Sequence, residues 1–353
     1  MAALRSHRRA TALAVTAAVL LLGAACGKSD TKGASGSTTS TAKAGGVVAD
    51  GPVVIQAGIN DPAQRAVAVL QYMPAKATVA VGQTVRWTWD GTSEPHSVTF
   101  FPPGQSAPSP PGSDPTLFAP TPATGLYDGS TLVNSGLAPQ GPGAVPPFEV
   151  AFAKPGSYGY SCVIHPQMMG TITVVPVGQA AETAAAVKTR GDQEKGQWLA
   201  EGNQALQKLQ SAVPVGTKNS TGTTNWKIEM GASTPHTDIL AFAPVPANLK
   251  HGDKVTFVNN SGAPHTASFF NKQPPIESPS DPAIDKAAPG PSPQTLNSTD
   301  LFNTGTLPPD APPGAGPPEA ARSFTFAVPT AGDYQYLCIY HSPSGMAGVI
   351  KAS

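Results

Sequence analysis

Cysteine is scarce in this chain, with three residues among 353, and charged residues account for only 12% of the sequence. Three cysteines are too few for the disulfide-rich scaffold that small secreted domains use in place of a large core. The formal net charge is zero, so no excess of either sign points to nucleic acid as a partner. Because 40% of the residues are hydrophobic, the low charge does not indicate disorder, and the length allows two folded domains.

Proline and glycine are abundant instead, with 39 and 36 residues. They favour turns and loops over long helices, so this composition is typical of a β-architecture. Strand-like segments recur between the turns. In the first half of the chain they lie at residues 53–55, 77–81, 84–89, 94–100, 148–152, 157–160 and 171–175. The sequence therefore predicts an all-β fold class.

Residues 1–26 begin with basic side chains, continue with an apolar run and end in small residues before Cys26. This pattern predicts an export signal, because the apolar run is short for a permanent membrane span. Residues 21–26 resemble a bacterial lipobox, with Gly23 where leucine is usual, which predicts lipidation of Cys26. We therefore expect a chain anchored to the outer face of the cell membrane, with plain secretion as the alternative. Residues 27–50, rich in Gly, Ser and Thr, are predicted to be a flexible linker.

The rest of the chain is predicted to contain two β-rich domains, residues 51–176 and 216–353, joined by a helical spacer. The spacer, residues 177–215, is rich in Ala, Glu, Gln and Lys and has leucines at helical spacing. We expect one or two helices there, broken near Gly191 or Gly196.

The two predicted domains repeat one another. Residues 160–170 read YSCVIHPQMMG and residues 336–348 read YLCIYHSPSGMAG, so both contain Cys-x-x-His followed by Met. An upstream histidine in a Pro-His-Ser/Thr context precedes each motif, His96 in the first copy and His265 in the second. These histidines are 169 positions apart and the motif cysteines are 176 apart, so the offset hardly changes. This pattern indicates a tandem duplication of one domain type.

Each repeat thus offers one thiol, two imidazoles and one thioether. Soft sulfur ligands with imidazole select copper over Mg, Ca or Mn, and a weak axial Met is typical of blue-copper electron-transfer sites. Met168 and Met169 compete for the first axial position, and the spacing favours Met168. The predicted copper ligands are His96, Cys162, His165 and Met168 in the first domain and His265, Cys338, His341 and Met346 in the second.

These motifs resemble those of the cupredoxin family, in particular plastocyanin- and amicyanin-like blue copper domains. The first ligand loop is similar to the short loop of amicyanin, and the second to the longer loop of plastocyanin. The resemblance covers most of residues 50–176 and 222–353 and implies two tandem Greek-key β-sandwiches, each with a type 1 copper site at one end. Ser97 and Thr266 stand where the family often has Asn, so hydrogen bonding around the thiolate is expected to differ. Because the loops differ in length, we expect two distinct reduction potentials.

The expected function is electron transfer between redox partner proteins, with two coppers per chain, no small-molecule substrate and no enzymatic activity of its own. The alternative is a copper-dependent oxidoreductase such as a nitrite reductase or multicopper oxidase. Such enzymes need further histidines, often one directly before the Cys, but Ser161 and Leu337 hold that position. Beyond the signal and the predicted ligands, only His236 and His251 remain, which is too few for a trinuclear cluster.

Copper storage or delivery is a third possibility, although the sequence lacks the Met- or His-rich tracts that such a carrier could use. A disulfide between Cys162 and Cys338 is an alternative to both metal sites. It would not explain why His and Met follow each cysteine at matching distances.

Overall fold

The computed structural model describes residues 51–109, 111–138, 145–269, 294–295, 302–310, 314 and 316–353. The predicted signal, Cys26 and the linker lie outside the described residues. Their roles therefore stay predictions.

The first β region runs from residue 53 to residue 175 and follows the predicted strand pattern closely. It also contains a short 3-10 helix, Pro115–Phe118. Its strands are β1 (Val53–Asn60), β2 (Val67–Met73), β3 (Lys76–Ala80), β4 (Thr84–Thr88), β5 (Thr99–Phe100), β6 (Val133–Asn134), β7 (Phe148–Ala151), β8 (Gly156–Ser161) and β9 (Met169–Val175).

One long helix, α1 (Ala184–Gln210), separates this region from the second β region, which runs from residue 215 to residue 352. Two short 3-10 helices, Glu319–Ala321 and Ser342–Ser344, interrupt the second region. Its strands are β10 (Val215–Lys218), β11 (Thr224–Ser233), β12 (Thr237–Ala243), β13 (Lys254–Val258), β14 (Ser268–Phe269), β15 (Gln294–Thr295), β16 (Phe302–Asn303), β17 (Ser323–Ala327), β18 (Gly332–Leu337) and β19 (Ala347–Ala352). The described chain is thus mostly β, with one long helix between two β regions.

Each β region places two sheets face to face. One large sheet runs through both regions in the order β15-β17-β13-β11-β12-β2-β1-β4-β7, with β10 paired to β11. A smaller sheet covers each half, β3-β9-β8-β5-β6 in the first region and β16-β14-β18-β19 in the second. The strands that end at the ligand motifs, β8 and β18, lie in these smaller sheets.

Two aromatic cores fill the space between the sheets. Alternating residues of β4 point inward, so Trp87 is fully buried and meets both Phe100 and Tyr160 edge-on. In the second region Phe257 and Tyr336 form the matching contact. Burying aromatic side chains provides much of the hydrophobic free energy of such cores. The repeat is therefore visible in the packing as well as in the motifs.

Helix α1 is continuous, and the predicted break near Gly191 or Gly196 is wrong. A Thr183 side-chain oxygen accepts from the N–H of Ala186 and caps its first turn. Gly191 is buried, and a Cβ at this position would lie only 2.8 Å from the carbonyl oxygen of Met73. That glycine allows the helix to approach a loop closely and does not interrupt it.

A short antiparallel pairing between β2 and β12 joins the two β regions. Val67 pairs with Ile239 and Val69 pairs with Thr237. Helix α1 covers this junction with Leu206 and Leu209, which pack in one cluster with Val67 and Ile239. The two halves therefore share one sheet and one small hydrophobic core.

Within the part of the chain that the structure describes, α1 and the 3-10 helices lack the combination of length and apolar character that crossing a membrane requires.

Candidate metal centres

The first cluster lies at one end of the first β region. His96, Cys162 and His165 are all buried, and their ligand atoms lie within 4.8 Å of one another. The Nδ1 atoms of the two imidazoles are 3.1 Å apart, and Cys162 Sγ lies 3.5 Å from Nδ1 of His165. His96 is held in place by paired backbone hydrogen bonds with Ala138, while the other two follow the end of β8.

The second cluster repeats this geometry. His265, Cys338 and His341 are buried, with 3.0 Å between the two Nδ1 atoms. Cys338 Sγ lies 3.7 Å from Nδ1 of His265 and 3.4 Å from Nδ1 of His341. In the described residues both motif cysteines are free, so the disulfide alternative is wrong.

Both methionines predicted as axial ligands are fully buried on the same loops. In the first loop the N–H of Cys162 donates to the carbonyl of Met168, and the N–H of Met168 donates to the carbonyl of His165. Met169 points outward with 61% of its surface exposed, so only Met168 lies on the inner side of the loop. The axial role of Met168 itself stays a prediction.

The second loop forms the same bonds with two more residues. The N–H of Cys338 donates to the carbonyl of Met346, whose own N–H donates to the carbonyl of His341. The extra length forms a 3-10 turn, Ser342–Ser344, which ends at Gly345 in the left-handed conformation with φ of 84°. The longer spacing therefore returns its methionine to an equivalent buried position.

A hydroxyl group contacts the far nitrogen of each upstream histidine. Thr92 Oγ1 lies 3.3 Å from Nε2 of His96, and Ser261 Oγ lies 2.6 Å from Nε2 of His265. Such a contact fixes the orientation of the ring, and here it leaves Nδ1 facing the thiol. Motif spacing did not identify these two hydroxyls, because neither lies in the ligand motif.

Glycines in β-bulges make room for the same rings. The register of β1 against β2 shifts between Ala57 and Ile59, and Gly58 between them has φ of 71°. A Cβ on Gly58 would lie 2.1 Å from Nε2 of His96. Gly231 in β11 repeats the arrangement, with φ of 81°. Only glycine combines this backbone conformation with so close an approach.

The residues after the upstream histidines organise the sulfur atoms. The N–H of Ser97 donates to Cys162 Sγ at 3.4 Å, and the N–H of Thr266 donates to Cys338 Sγ at the same distance. Their hydroxyls accept from the N–H groups of the residues after each cysteine, both at 3.0 Å. In both clusters a hydroxyl thus links the residue after the upstream histidine to the loop that follows the cysteine.

Burial dominates the electrostatics of the first cluster. It lowers the pKa of His96 well below its ordinary value, and repulsion from His165 adds to the effect. Burial followed by repulsion from His341 lowers the pKa of His165 to about 3. Burial raises the pKa of the Cys162 thiol, although backbone hydrogen bonds, that of Ser97 first, oppose the change. Both imidazoles are therefore neutral, which is the protonation state that a metal ligand requires.

The second cluster has a different charge environment. Burial and repulsion from His341 lower the pKa of His265 well below its ordinary value. Burial also disfavours a charged His341, but attraction to Glu94 and Cys338 outweighs it and raises the pKa of His341 to about 9. For Cys338, burial raises the pKa while attraction to His341 lowers it, and the balance lowers it. Attraction to Glu94, which motif spacing did not single out, is the largest of the effects that raise the pKa of His341, ahead of Cys338 and Asp238.

The donor atoms present fit copper. In each cluster two imidazole nitrogens and a sulfur converge on one point, and a thioether lies on the same loop, which is the donor set of a type 1 copper site. In each cluster the two buried Nδ1 atoms lie about 3 Å apart, close enough for both to bind one metal ion.

Comparison with known proteins agrees with this donor set. Residues 228–353 match the family model of copper binding proteins, plastocyanin/azurin family. Chloroplastic plastocyanin from Tetradesmus obliquus is 28% identical over 123 residues, which cover 35% of this chain and 63% of that protein. Chloroplastic plastocyanin from Physcomitrium patens is 30% identical over 114 residues, which cover 32% of this chain and 51% of that protein. The matches thus span less than two thirds of these two relatives.

Plastocyanin from Scenedesmus fuscus is 28% identical over 123 residues, covering 35% of this chain and 94% of that protein. Among solved structures, a Cu(I) form of an amicyanin mutant matches with 22% identity over 36% of this chain and 87% of that one, with a TM-score of 0.23. The family match and the second His-Cys-His cluster fall on the same residues. The C-terminal part of the chain, residues 228–353, is therefore a cupredoxin domain that is similar to the plastocyanin/azurin family of copper binding proteins.

Proposed function

We propose that this chain is an exported blue copper protein that binds one copper ion at each of two type 1 sites and carries electrons between redox partner proteins. The observation that carries the proposal is the pair of buried His-Cys-His clusters, each with a buried Met on the same loop. The first site would use His96, Cys162, His165 and Met168, and the second His265, Cys338, His341 and Met346. Copper at such a site alternates between Cu(I) and Cu(II) and so transfers one electron at a time.

The residues around each site suit that role because they hold the ligands rigidly. The three donor residues of the first cluster are at most 8% exposed, so little water can reorganise when the charge of the site changes. The bonds between Cys and Met backbones close each loop, and hydroxyls orient the upstream histidines. A ligand set that moves little between two oxidation states favours fast electron transfer over substrate chemistry.

The location of the protein belongs to the same proposal. Lipidation of Cys26 would anchor the chain to the outer face of the membrane, and residues 27–50 would act as a tether. Labelling with a radioactive fatty acid tests this: incorporation should be lost in a Cys26→Ala variant. Incorporation that persists in that variant would contradict the assignment.

Metal analysis of the parent chain and three variants tests the copper function. The parent chain should bind two coppers and show an intense visible thiolate-to-copper band, whereas Cys162→Ser and Cys338→Ser should each bind one. A Met169→Leu control should keep both coppers, because that side chain lies outside the loop. A parent chain without the visible band, or one with sustained nitrite turnover, would contradict an electron carrier.

A further inference from the structure

Glu94 is a carboxylate buried to 3% exposure at the junction of the two β regions. It lies two residues before His96 of the first cluster, yet its side chain contacts the second. Glu94 Oε2 lies 3.3 Å from Nε2 of His341, and Oε1 accepts a hydrogen bond of 2.7 Å from the Ser344 hydroxyl. One β region therefore supplies a charged group to the metal cluster of the other.

Further contacts between the regions hold this carboxylate in place. The Ser93 and Ser344 hydroxyls are 2.6 Å apart, and the side-chain amide of Asn60 donates to Ser344 at 3.4 Å. Arg65 reaches the carbonyl of Pro343 at 3.4 Å. The 3-10 turn of the second ligand loop, which the first loop does not have, thus rests on the first β region.

The second repeat has no residue equivalent to Glu94 that could contact the first cluster in the same way. Ala263 stands at the position equivalent to Glu94, directly before the Pro-His pair of the second repeat. Among the described residues no carboxylate forms an ion pair with His165, although that residue lines a pocket whose other members include Gln167 and the buried Asp238. The two repeats therefore differ in sequence at this position. The Glu94 carboxylate of the first repeat reaches the second cluster only because the two β regions meet at an interface.

Carboxylates behind a metal-bound imidazole increase its basicity as a ligand. In both clusters Nδ1 faces the thiol, so the Nε2 of His341 is free to meet Glu94. A negative charge buried beside the site also stabilises Cu(II) over Cu(I), because the oxidised site carries one more positive charge.

We propose that Glu94 of the first β region is a tuning residue of the second copper site and makes the reduction potential of that site lower than that of the first. This inference rests on the proposed function, since it requires copper at both sites. Glu94 acts through His341 and does not itself bind the metal.

Redox titration of chains with a single copper site tests the assignment. Cys162→Ser leaves only the second site, and Glu94→Gln removes the charge of residue 94 while keeping its shape. In this background the Glu94→Gln change should raise the ratio of Cu(I) to Cu(II) at a fixed solution potential at least tenfold, a rise of about 59 mV. The matched control is the same Glu94→Gln change in Cys338→Ser, where the first site should shift less than threefold although His96 is closer in sequence.

A carboxylate that is merely structural would alter stability and leave both potentials unchanged, so an unchanged second-site potential overturns the inference. A larger shift at the first site than at the second would also overturn it. If Glu94→Gln folds poorly, Glu94→Asp keeps the charge at a greater distance and should give a smaller shift in the same direction; no shift overturns the inference. Absence of the copper band in the parent chain would overturn the proposed function as well. If both sites bind copper but neither reduction potential changes when Glu94 is substituted, only the inference is contradicted.

Discussion

At the scale of single residues, the absence of a side chain is as important as the ligands. His96 is fully buried, and its ring occupies the space that a side chain at position 58 would need. The bulge in β1 gives Gly58 a left-handed backbone conformation, in which a Cβ atom would point toward the His96 ring. The imidazole therefore depends on a residue far from the Cys-x-x-His motif.

A Gly58→Ala substitution should displace His96 and remove copper from the first site only. The added Cβ would overlap the ring at 2.1 Å, and the positive φ adds about 1–2 kcal/mol of strain. Metal analysis and denaturant unfolding measure both effects. Gly82→Ala is the matched control, because Gly82 also has a positive φ but a Cβ there meets nothing within 4 Å. If both variants keep two coppers, the close approach of residue 58 to the ring is unimportant.

The two adjacent methionines offer a second test at this scale. Met168→Leu should raise the first-site potential by at least about 59 mV, a tenfold change in the ratio of Cu(I) to Cu(II), because a leucine cannot donate electron density to Cu(II). Its effect on folding should be below about 1.5 kcal/mol, since the volumes are similar. Met169→Leu should leave the potential unchanged, because Met169 is exposed. If only Met169→Leu changes the first-site reduction potential, Met169 and not Met168 is the axial ligand.

At the scale of elements, strand positions were largely predictable because alternation of apolar side chains is local in the chain. The segments at 84–89 and 171–175 became β4 and β9 with small changes at their ends. The predicted strands did not include β2 or β12, whose buried faces meet another region of the protein. Helix α1 was predicted, but a break was wrongly inferred from its glycines. Gly191 packs against Met73 at the end of β2, a residue far away in sequence, whereas Gly196 is exposed within a continuous helix.

Two glycines of α1 make this difference measurable. Gly191→Ala should destabilise the fold by about 1–3 kcal/mol, since its Cβ would press on the backbone of Met73. Gly196→Ala should stabilise it by about 0.5–1 kcal/mol, because position 196 is exposed and alanine favours helix. Chemical denaturation of both variants gives the comparison. Equal changes of the same sign would mean that helix propensity alone governs these positions.

At the scale of the whole molecule, the two β regions are parts of one structure. The described residues between 51 and 353 belong to a single compact unit, and the large sheet passes from one region to the other through β2 and β12. Leu206 and Leu209 of α1 cover that passage. Independent folding of either half would expose the strand edge and the apolar surface that this junction buries.

We therefore expect one cooperative unfolding transition for the chain, without a stable half-folded state. Differential scanning calorimetry checks this through the agreement of calorimetric and van't Hoff enthalpies. The measurement should be made on the parent chain and on Cys338→Ser. A difference in metal affinity between the two sites could otherwise produce two transitions that resemble the unfolding of two separate domains. Two well-separated transitions in both proteins would show that the junction contributes little stability.

The sequence by itself determined the repeat and the residues that the structure brings together in the two His-Cys-His clusters. It could do so because the thiol, one imidazole and the thioether of each set lie within a few residues of one another. Only the tertiary structure decided that the clusters are unequal, since Glu94 and Ser344 meet across 250 positions of chain. Such a contact depends on how two folded regions dock, and no local pattern encodes it.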